Sequence, residues 1–128
     1  THIRQDKVTK VQNSIPLQTV NGEMSGDILL VTWGGTFGAC HSAMNILIEE
    51  GKKVSHMHMN YISPMPKNIA EIMNGFKKII VAELNNGQLI NVLNAKFHCN
   101  AKPYNKIQGL PFKIKEITGM ISKELEDL

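Results

Sequence analysis

Short, continuous apolar runs alternate along this chain with stretches of helical periodicity, and this alternation limits the folds that the chain can adopt. Ile28–Val31 and Ile79–Ala82 contain only apolar residues, as expected for strands that are buried on both faces. After each run, apolar residues recur at helical spacing, first over 39–48 and then over 89–97. Alternating strands and helices of this kind predict a mainly parallel sheet that is covered by helices on both faces.

The remaining elements are predicted from weaker patterns. Residues 53–61 alternate between two faces, which predicts a strand with His56 and His58 on the same face. Pro66 is suited to the first turn of a helix that runs through Met73. The other predicted elements are helices over 3–11 and 114–128 and strands over 17–20 and 101–107.

Composition excludes several classes of protein. The chain has 128 residues, of which 42% are hydrophobic and 20% are charged, and this is typical of one globular domain rather than a disordered chain. Two cysteines are too few for a disulfide-stapled scaffold of this length. No apolar run approaches the ~20 residues of a membrane span, and the N-terminus lacks the apolar segment of a signal peptide. Because the chain starts at Thr1 rather than at a methionine, we expect it to be a piece of a longer polypeptide.

The charge is small in total, at +3, but uneven in its distribution. No acidic residue occurs between Glu83 and Glu116. A basic surface formed there could attract an anionic ligand or an acidic protein, or it could simply be solvated. Aromatic residues are not interleaved with the basic ones as they are in nucleic-acid-binding chains, so nucleic acid is not an expected partner. The lysines of this stretch are Lys96, Lys102, Lys106, Lys113 and Lys115.

A glycine-rich turn follows the first buried strand. Gly34, Gly35 and Thr36 stand where a strand passes into a helix, a place where backbone amides can bind an anion. The spacing matches neither the dinucleotide fingerprint nor the phosphate-binding loop, so a tight turn explains these residues equally well. The sequence therefore leaves a possible anion-binding turn and a purely structural turn both open.

Histidines and cysteines suggest a metal site only weakly. His56 and His58 share a face, and Cys40 and Cys99 each have a histidine beside them, but no spacing matches a known zinc pattern. Cys40 lies on the apolar stripe of its helix, which predicts a buried, unreactive thiol. We therefore expect no metal ligand, while a nucleophilic Cys/His pair stays open although nothing supplies its third, orienting group.

The segment that follows the second buried strand is rich in groups that form hydrogen bonds. Glu83 and the amides after it stand at the carboxyl end of a strand, where open α/β sheets place ligands and interfaces. Three roles are open from the residues alone: capping the next helix, holding an adjoining segment, or contacting a ligand.

Four motifs occur in an order that resembles the C-terminal domain of the alpha subunit of 2-oxoglutarate:ferredoxin oxidoreductase, also called 2-oxoglutarate synthase. The resemblance covers the chain from about Asp27 to its end, with a lead-in from a preceding domain over 1–26 and the domain itself over 27–128. It implies a three-layer α/β/α sandwich like the C-terminal domain of transketolase, with a mainly parallel five-stranded sheet. The one antiparallel strand would be the stretch over 17–20. The motifs are Trp33–Thr36, Pro64–Pro66, Glu83–Leu89 and Gly109–Phe112.

The resemblance also implies a division of labour. The family's holoenzyme uses thiamine diphosphate, Mg²⁺, iron–sulfur clusters and coenzyme A to decarboxylate a 2-oxoacid in the cytoplasm and to reduce ferredoxin. Other domains and the beta subunit carry those groups, so this chain is expected to bind no cofactor, to be inactive alone and to have no catalytic residue. Its expected partners are the N-terminal domains of the same subunit and the beta subunit, with ferredoxin reached indirectly and no membrane. The interface or scaffold positions carried over are Glu83, Asn85, Gly87, Gln88, Gly109, Pro111 and Phe112.

Three positions depart from the family's pattern, and two other functions stay open. Many members have a serine at Gly35, an apolar residue at Asn86 and an arginine at Asn94, and because of the last change no anion contact is carried over from the family to that helix. The alternatives are the equivalent domain of another thiamine diphosphate enzyme and a stand-alone nucleotide- or anion-binding module.

Overall fold

A computed structural model describes residues 15–84, 88–106 and 110–128, and strands and helices alternate throughout it. A single 3₁₀ turn, Gly34–Thr36, joins the first strand to the first helix. The strands are β1 (Gly26–Trp33), β2 (Val54–Met59), β3 (Phe76–Leu84) and β4 (Lys102–Lys106), and the helices are α1 (Phe37–Glu49), α2 (Ile69–Met73), α3 (Gln88–Phe97) and α4 (Ile114–Glu126).

The four strands form one parallel sheet in the order β2-β1-β3-β4. Leu29 in β1 lies opposite Ser55 in β2 and Ile79 in β3, so β1 and β3 are the inner strands. This result confirms the predicted α/β fold with a parallel sheet. The apolar runs of the sequence belong to the inner strands, because only inner strands are covered on both faces and both sides.

Helices cover both faces of the sheet and create two separate cores. Leu29 and Val31 point towards the face that is covered by α2 and α3. Ile28 and Leu30, which alternate with them, point towards α1 and α4. These four side chains are fully buried, as the period-two pattern of a central strand requires. The helix–sheet–helix layers agree with the predicted three-layer sandwich.

The fifth, antiparallel strand expected over 17–20 is not formed by the described residues. Instead, Asn21 makes a single antiparallel bridge with the edge strand β2, through two backbone hydrogen bonds of 2.9 Å with His56. The segment cannot extend this ladder because the side chain of Asn68 takes both backbone groups of Gln18, at 2.8 and 3.0 Å. No strand is therefore formed over 17–20, and this part of the chain pairs with β2 only through the isolated bridge at Asn21.

The start of α2 also differs from the prediction. The helix begins at Ile69 rather than at Pro66, because Met65 and Pro66 are buried in the loop that leads to it. Asn68 stands at the N-cap position, but its side chain bonds Gln18 rather than the helix backbone. The predicted helix over 3–11 lies outside the described residues.

The C-terminal helix is joined to the sheet by an ion cluster. Glu124 in α4, whose side chain is 9% exposed, bonds Lys102 in β4 and, at 2.7 Å, Lys78 in β3. Hydrogen bonds from Lys102 and then from Lys78 lower the pKa of the Glu124 carboxyl, since both favour its charged form. One carboxylate thus connects α4 with two neighbouring strands.

Candidate functional site at the carboxyl edge of the sheet

The carboxyl ends of β1 and β3 lie side by side at the centre of the sheet. From β1 the chain passes through α1 to β2 on one side, and from β3 it passes through α3 to β4 on the other. A reversal of strand order of this kind opens a crevice at the carboxyl edge, where open α/β sheets bind ligands or neighbouring groups. This crevice is the candidate functional site.

Glu83 is the central residue of the crevice. Its side chain is buried, with 2% exposure, and its Oε1 accepts hydrogen bonds from Trp33 Nε1 at 2.9 Å and from the Leu89 amide at 2.7 Å. Its Oε2 accepts a third bond, from the Ile90 amide at 3.0 Å. The carboxylate therefore caps the first turn of α3 and also holds the end of β1.

This arrangement suits positioning rather than proton transfer. Both oxygens of Glu83 are engaged by donors, and two of those donors are backbone amides that stay fixed in a helix. Charge-assisted hydrogen bonds of this kind are roughly twice as strong as neutral ones. Of the three roles that the sequence left open, Glu83 thus performs the capping of a helix and the holding of an adjoining segment.

The glycine turn lies beside this carboxylate. Gly34 has a φ of +65°, a conformation that favours glycine. A Cβ atom built on Gly34 or on Gly35 would meet no atom within 4 Å, so the turn faces open space. Thr36 is the N-cap residue of α1, but its hydroxyl donates to the Trp33 carbonyl at 2.9 Å and does not cap the helix. The turn is built as a structural corner with an accessible outer surface.

Replacing Gly34 by alanine is expected to lower the free energy of unfolding by about 1–2 kcal/mol, because an L-residue is strained at this φ. Gly35→Ala is the matched control, since Gly35 is equally open but its φ is not positive. That variant is expected to be neutral or slightly stabilising. Urea unfolding of both variants measures the difference, and equal stabilities would contradict the structural role assigned to Gly34.

The other positions singled out from the sequence divide into core and surface. Phe112 is 5% exposed and stacks on Tyr104, with ring centroids 5.6 Å apart. Pro111, Gln88 and Gly34 are exposed. Asn85, Gly87 and Gly109 lie outside the described residues. The carboxyl edge of the sheet therefore has a buried central residue, Glu83, and exposed neighbours.

The two cysteines do not fit an iron–sulfur cluster. Cys40 packs in the core under α1 and α4, and Cys99 packs against the opposite core, so the sheet separates the two thiols. Cys40 is fully buried, as predicted, and this burial raises the pKa of its thiol to about 12. Within 15–84, 88–106 and 110–128, no three histidine, cysteine, aspartate or glutamate side chains are placed to hold a metal ion.

The sequence did not predict two polar arrangements. Thr32, which is fully buried, lies between the rings of His56 and His58, with 2.7 Å from its hydroxyl to each. The spacing of the histidines correctly predicted that they share a face, but nothing local marked Thr32 as their common neighbour. Asn94 accepts a hydrogen bond from the Ala101 amide at 2.7 Å, so this departure from the family pattern joins α3 to the start of β4.

Comparison with known proteins identifies the family. Residues 26–117 match the family model described as pyruvate:ferredoxin oxidoreductase core domain II. The chain belongs to this family. The family that the motif order resembled, the alpha subunit of 2-oxoglutarate:ferredoxin oxidoreductase, is therefore confirmed.

Individual relatives agree with this assignment. The 2-oxoglutarate oxidoreductase subunit KorA of Mycobacterium tuberculosis is 33% identical over 99 residues, which are 77% of this chain and 15% of that protein. A 2-oxoglutarate:ferredoxin oxidoreductase from Magnetococcus marinus, solved with 2-oxoglutarate, coenzyme A and succinyl-CoA bound, has a TM-score of 0.85 at 32% identity. This match covers 91% of this chain and 21% of that chain. This core domain II thus spans about a fifth or less of the length of these relatives.

A more distant match shows only the fold. A split-gene transketolase in an inactive tetrameric form has a TM-score of 0.61 at 16% identity, over 85% of this chain and 41% of that chain. The transketolase-like architecture is therefore confirmed. The lower similarity does not favour the equivalent domain of another thiamine diphosphate enzyme, and the comparisons do not favour a stand-alone nucleotide-binding module either. None of the helices in the described part of this core domain II is long and apolar enough to cross a membrane.

Proposed function

We propose that this chain is a scaffold and assembly domain in the alpha subunit of a 2-oxoacid:ferredoxin oxidoreductase, with 2-oxoglutarate as the oxoacid. The observation that carries the proposal is the structural similarity to the Magnetococcus marinus enzyme, with a TM-score of 0.85 over 91% of the chain. In this proposal the chain works in the cytoplasm, with residues 1–26 as the lead-in from a preceding domain. It holds no catalytic residue and is inactive alone.

The cofactors belong to other parts of the proposed enzyme. Thiamine diphosphate, Mg²⁺, iron–sulfur clusters and coenzyme A would be bound by other domains and by the beta subunit. The separation of Cys40 from Cys99 supports this division, because a cluster needs several thiolates at one point. In this proposal the chain contributes a rigid contact surface and no catalytic group.

The carboxyl edge is the surface that we propose for contact with the rest of the enzyme. Trp33 is 36% exposed while its indole N–H is tied to the buried Glu83, so its ring is held in one orientation. Phe37 and Leu110 are also exposed apolar side chains. Fixed aromatic groups contribute strongly to interfaces because little side-chain freedom is lost on binding. The proposed interface or scaffold residues are Glu83, Asn85, Gly87, Gln88, Gly109, Pro111 and Phe112. The turn of Gly34, Gly35 and Thr36 lies beside Glu83, and its two glycines are exposed while Thr36 is buried.

The partners in this proposal are the N-terminal domains of the same subunit and the beta subunit, with ferredoxin reached only through them. A domain exchange tests this assembly role. The core domain II of the Magnetococcus marinus enzyme is replaced by the matching part of this chain, and the chimeric alpha subunit is produced together with the beta subunit. We expect the two subunits to purify as one complex that reduces ferredoxin in the presence of 2-oxoglutarate and coenzyme A.

The matched control carries the corresponding region of the split-gene transketolase, which shares the fold at 16% identity. This control is expected to fold without restoring assembly, because the surface residues differ while the architecture is retained. A chimera with this chain that folds but neither assembles nor reduces ferredoxin would contradict the proposed function.

A further inference from the structure

A cavity of about 360 Å³ lies on the outer side of β2, between that strand, the first turns of α1 and the segment that forms the Asn21 bridge. We name it the histidine cavity. Among its lining residues there is no aspartate, glutamate, lysine or arginine, so the only titratable groups that face it are imidazoles. The lining residues are Thr19, Val20, Asn21, Phe37, His41, His56, His58 and Asn60.

Two amide side chains determine which nitrogen of His41 carries its proton. Asn21 Nδ2 donates to Asn45 Oδ1 at 2.6 Å, so the other end of the Asn45 amide is a donor. Asn45 Nδ2 lies 3.2 Å from His41 Nε2, which must therefore accept. The proton of the neutral ring consequently resides on Nδ1.

His41 Nδ1 is buried and has no hydrogen-bond partner in the part of the chain that the structure describes. A buried donor without an acceptor is unusual in a folded protein. Phe37 stacks on the same ring at 4.7 Å and so holds the donor in place. The cavity thus presents a fixed N–H group for which these residues supply no acceptor.

His56 and His58 place two further imidazole rings at the same cavity. Their rings are 6.3 Å apart, and the His56 ring is 6.2 Å from that of His41. The single hydroxyl proton of Thr32 can serve only one of its two histidine neighbours, so the other ring must donate to the Thr32 oxygen. The protonation states of the two rings are therefore coupled.

We propose that the histidine cavity binds a small oxyanion, such as a carboxylate or a phosphate, which accepts a hydrogen bond from His41 Nδ1. Three imidazoles without a carboxylate among the lining residues favour an anion, because each ring that takes up a proton gains a charge that none of the described lining residues balances. The rings do not favour a metal ion, since no three histidine, cysteine, aspartate or glutamate side chains within the described ranges are placed to hold one.

Binding and protonation are then linked. An oxyanion that binds the protonated cavity more tightly than the neutral one must raise the pKa of the rings that it contacts, by reciprocity. In its absence, burial lowers the pKa of His58 and, with His58 and His41 as further causes, that of His56. The ligand is therefore expected to raise these lowered pKa values part of the way back towards their usual value.

Nuclear magnetic resonance of the histidine side chains in the 128-residue chain tests this proposal. The pKa of His58 is measured, and the ring resonances of His41 are followed, in sodium chloride, in inorganic phosphate and in acetate, at constant ionic strength. We expect a saturable rise of about one pH unit in phosphate, in acetate or in both, which corresponds to about tenfold tighter binding to the protonated form. The stronger of the two probes identifies the class of oxyanion.

His98 is the internal control, because it is exposed and follows α3, which packs on the opposite face of the sheet. Its ring resonances are expected to be the same in all three salts at a given pH. His41→Phe keeps the aromatic stack and removes the N–H group, and it is expected to weaken oxyanion binding at least tenfold. The proposal is overturned if no saturable change occurs in the wild-type chain, if His98 moves equally, or if a folded His41→Phe variant binds as well.

Discussion

Replacing Glu83 by alanine is expected to lower the free energy of unfolding by about 3–5 kcal/mol. The truncation leaves three donors without an acceptor, namely the Trp33 indole and the amides of Leu89 and Ile90. Each buried donor that loses its acceptor costs about 1–3 kcal/mol, and the first turn of α3 also loses its cap. Urea unfolding, followed by circular dichroism, measures the change.

Two further variants separate the parts of this effect. Trp33→Phe removes the indole donor together with part of the ring, leaves both helix amides bonded to Glu83, and is expected to cost about 1–2 kcal/mol. Gln88→Ala alters an exposed residue at the start of the same helix and is expected to change stability by less than about 0.5 kcal/mol. A loss below about 1 kcal/mol for Glu83→Ala would show that Glu83 does not anchor the carboxyl edge.

Acidification is expected to destabilise the chain through His56. Burial, followed by the charges of His58 and His41, lowers the pKa of this ring to about 4 in the folded state, whereas the usual value is 6.5. Between these values the unfolded chain binds a proton that the folded chain does not, so stability decreases as the pH falls. The loss begins near pH 6.5, ends near pH 4 and amounts to about 3 kcal/mol.

Unfolding at a series of pH values measures this dependence. His56→Gln removes one of the two histidines whose pKa is lowered and is expected to reduce the slope between pH 6.5 and 4. His98→Asn is the matched control, because His98 is exposed and has a positive φ that asparagine tolerates, so this variant should keep the wild-type slope. Equal slopes for the wild type and His56→Gln would contradict the assignment to His56.

Much of the fold could be predicted because it follows from local patterns of apolar residues in the sequence. The apolar runs Ile28–Val31 and Ile79–Ala82 identified the two inner strands, but both strands extend further at each end. Their ends carry Gly26, Lys77 and other residues that leave the core, so hydrophobicity alone stops short of them. The expected strand over 17–20 was wrong because Gln18 bonds Asn68, which is 50 residues away.

The candidate site was predictable in position but not in its contacts. Glu83 was expected at the carboxyl end of a strand, and its bonds to the nearby α3 fall within the capping role that local sequence suggested. Its bond to Trp33 depends on the pairing of β1 with β3, which a single sequence does not reveal. The same holds for His41, which reaches His56 only because α1 packs over β2. Contacts between distant segments are set by the whole fold.

The most direct measurement of the central claim is an activity assay of the isolated chain. The 128-residue chain is incubated with thiamine diphosphate, Mg²⁺, 2-oxoglutarate, coenzyme A and ferredoxin, beside the chimeric enzyme that contains the same domain. A scaffold domain is expected to reduce no ferredoxin alone, while the assembled chimera reduces it in a reaction that depends on coenzyme A. Ferredoxin reduction by the chain alone would contradict the account.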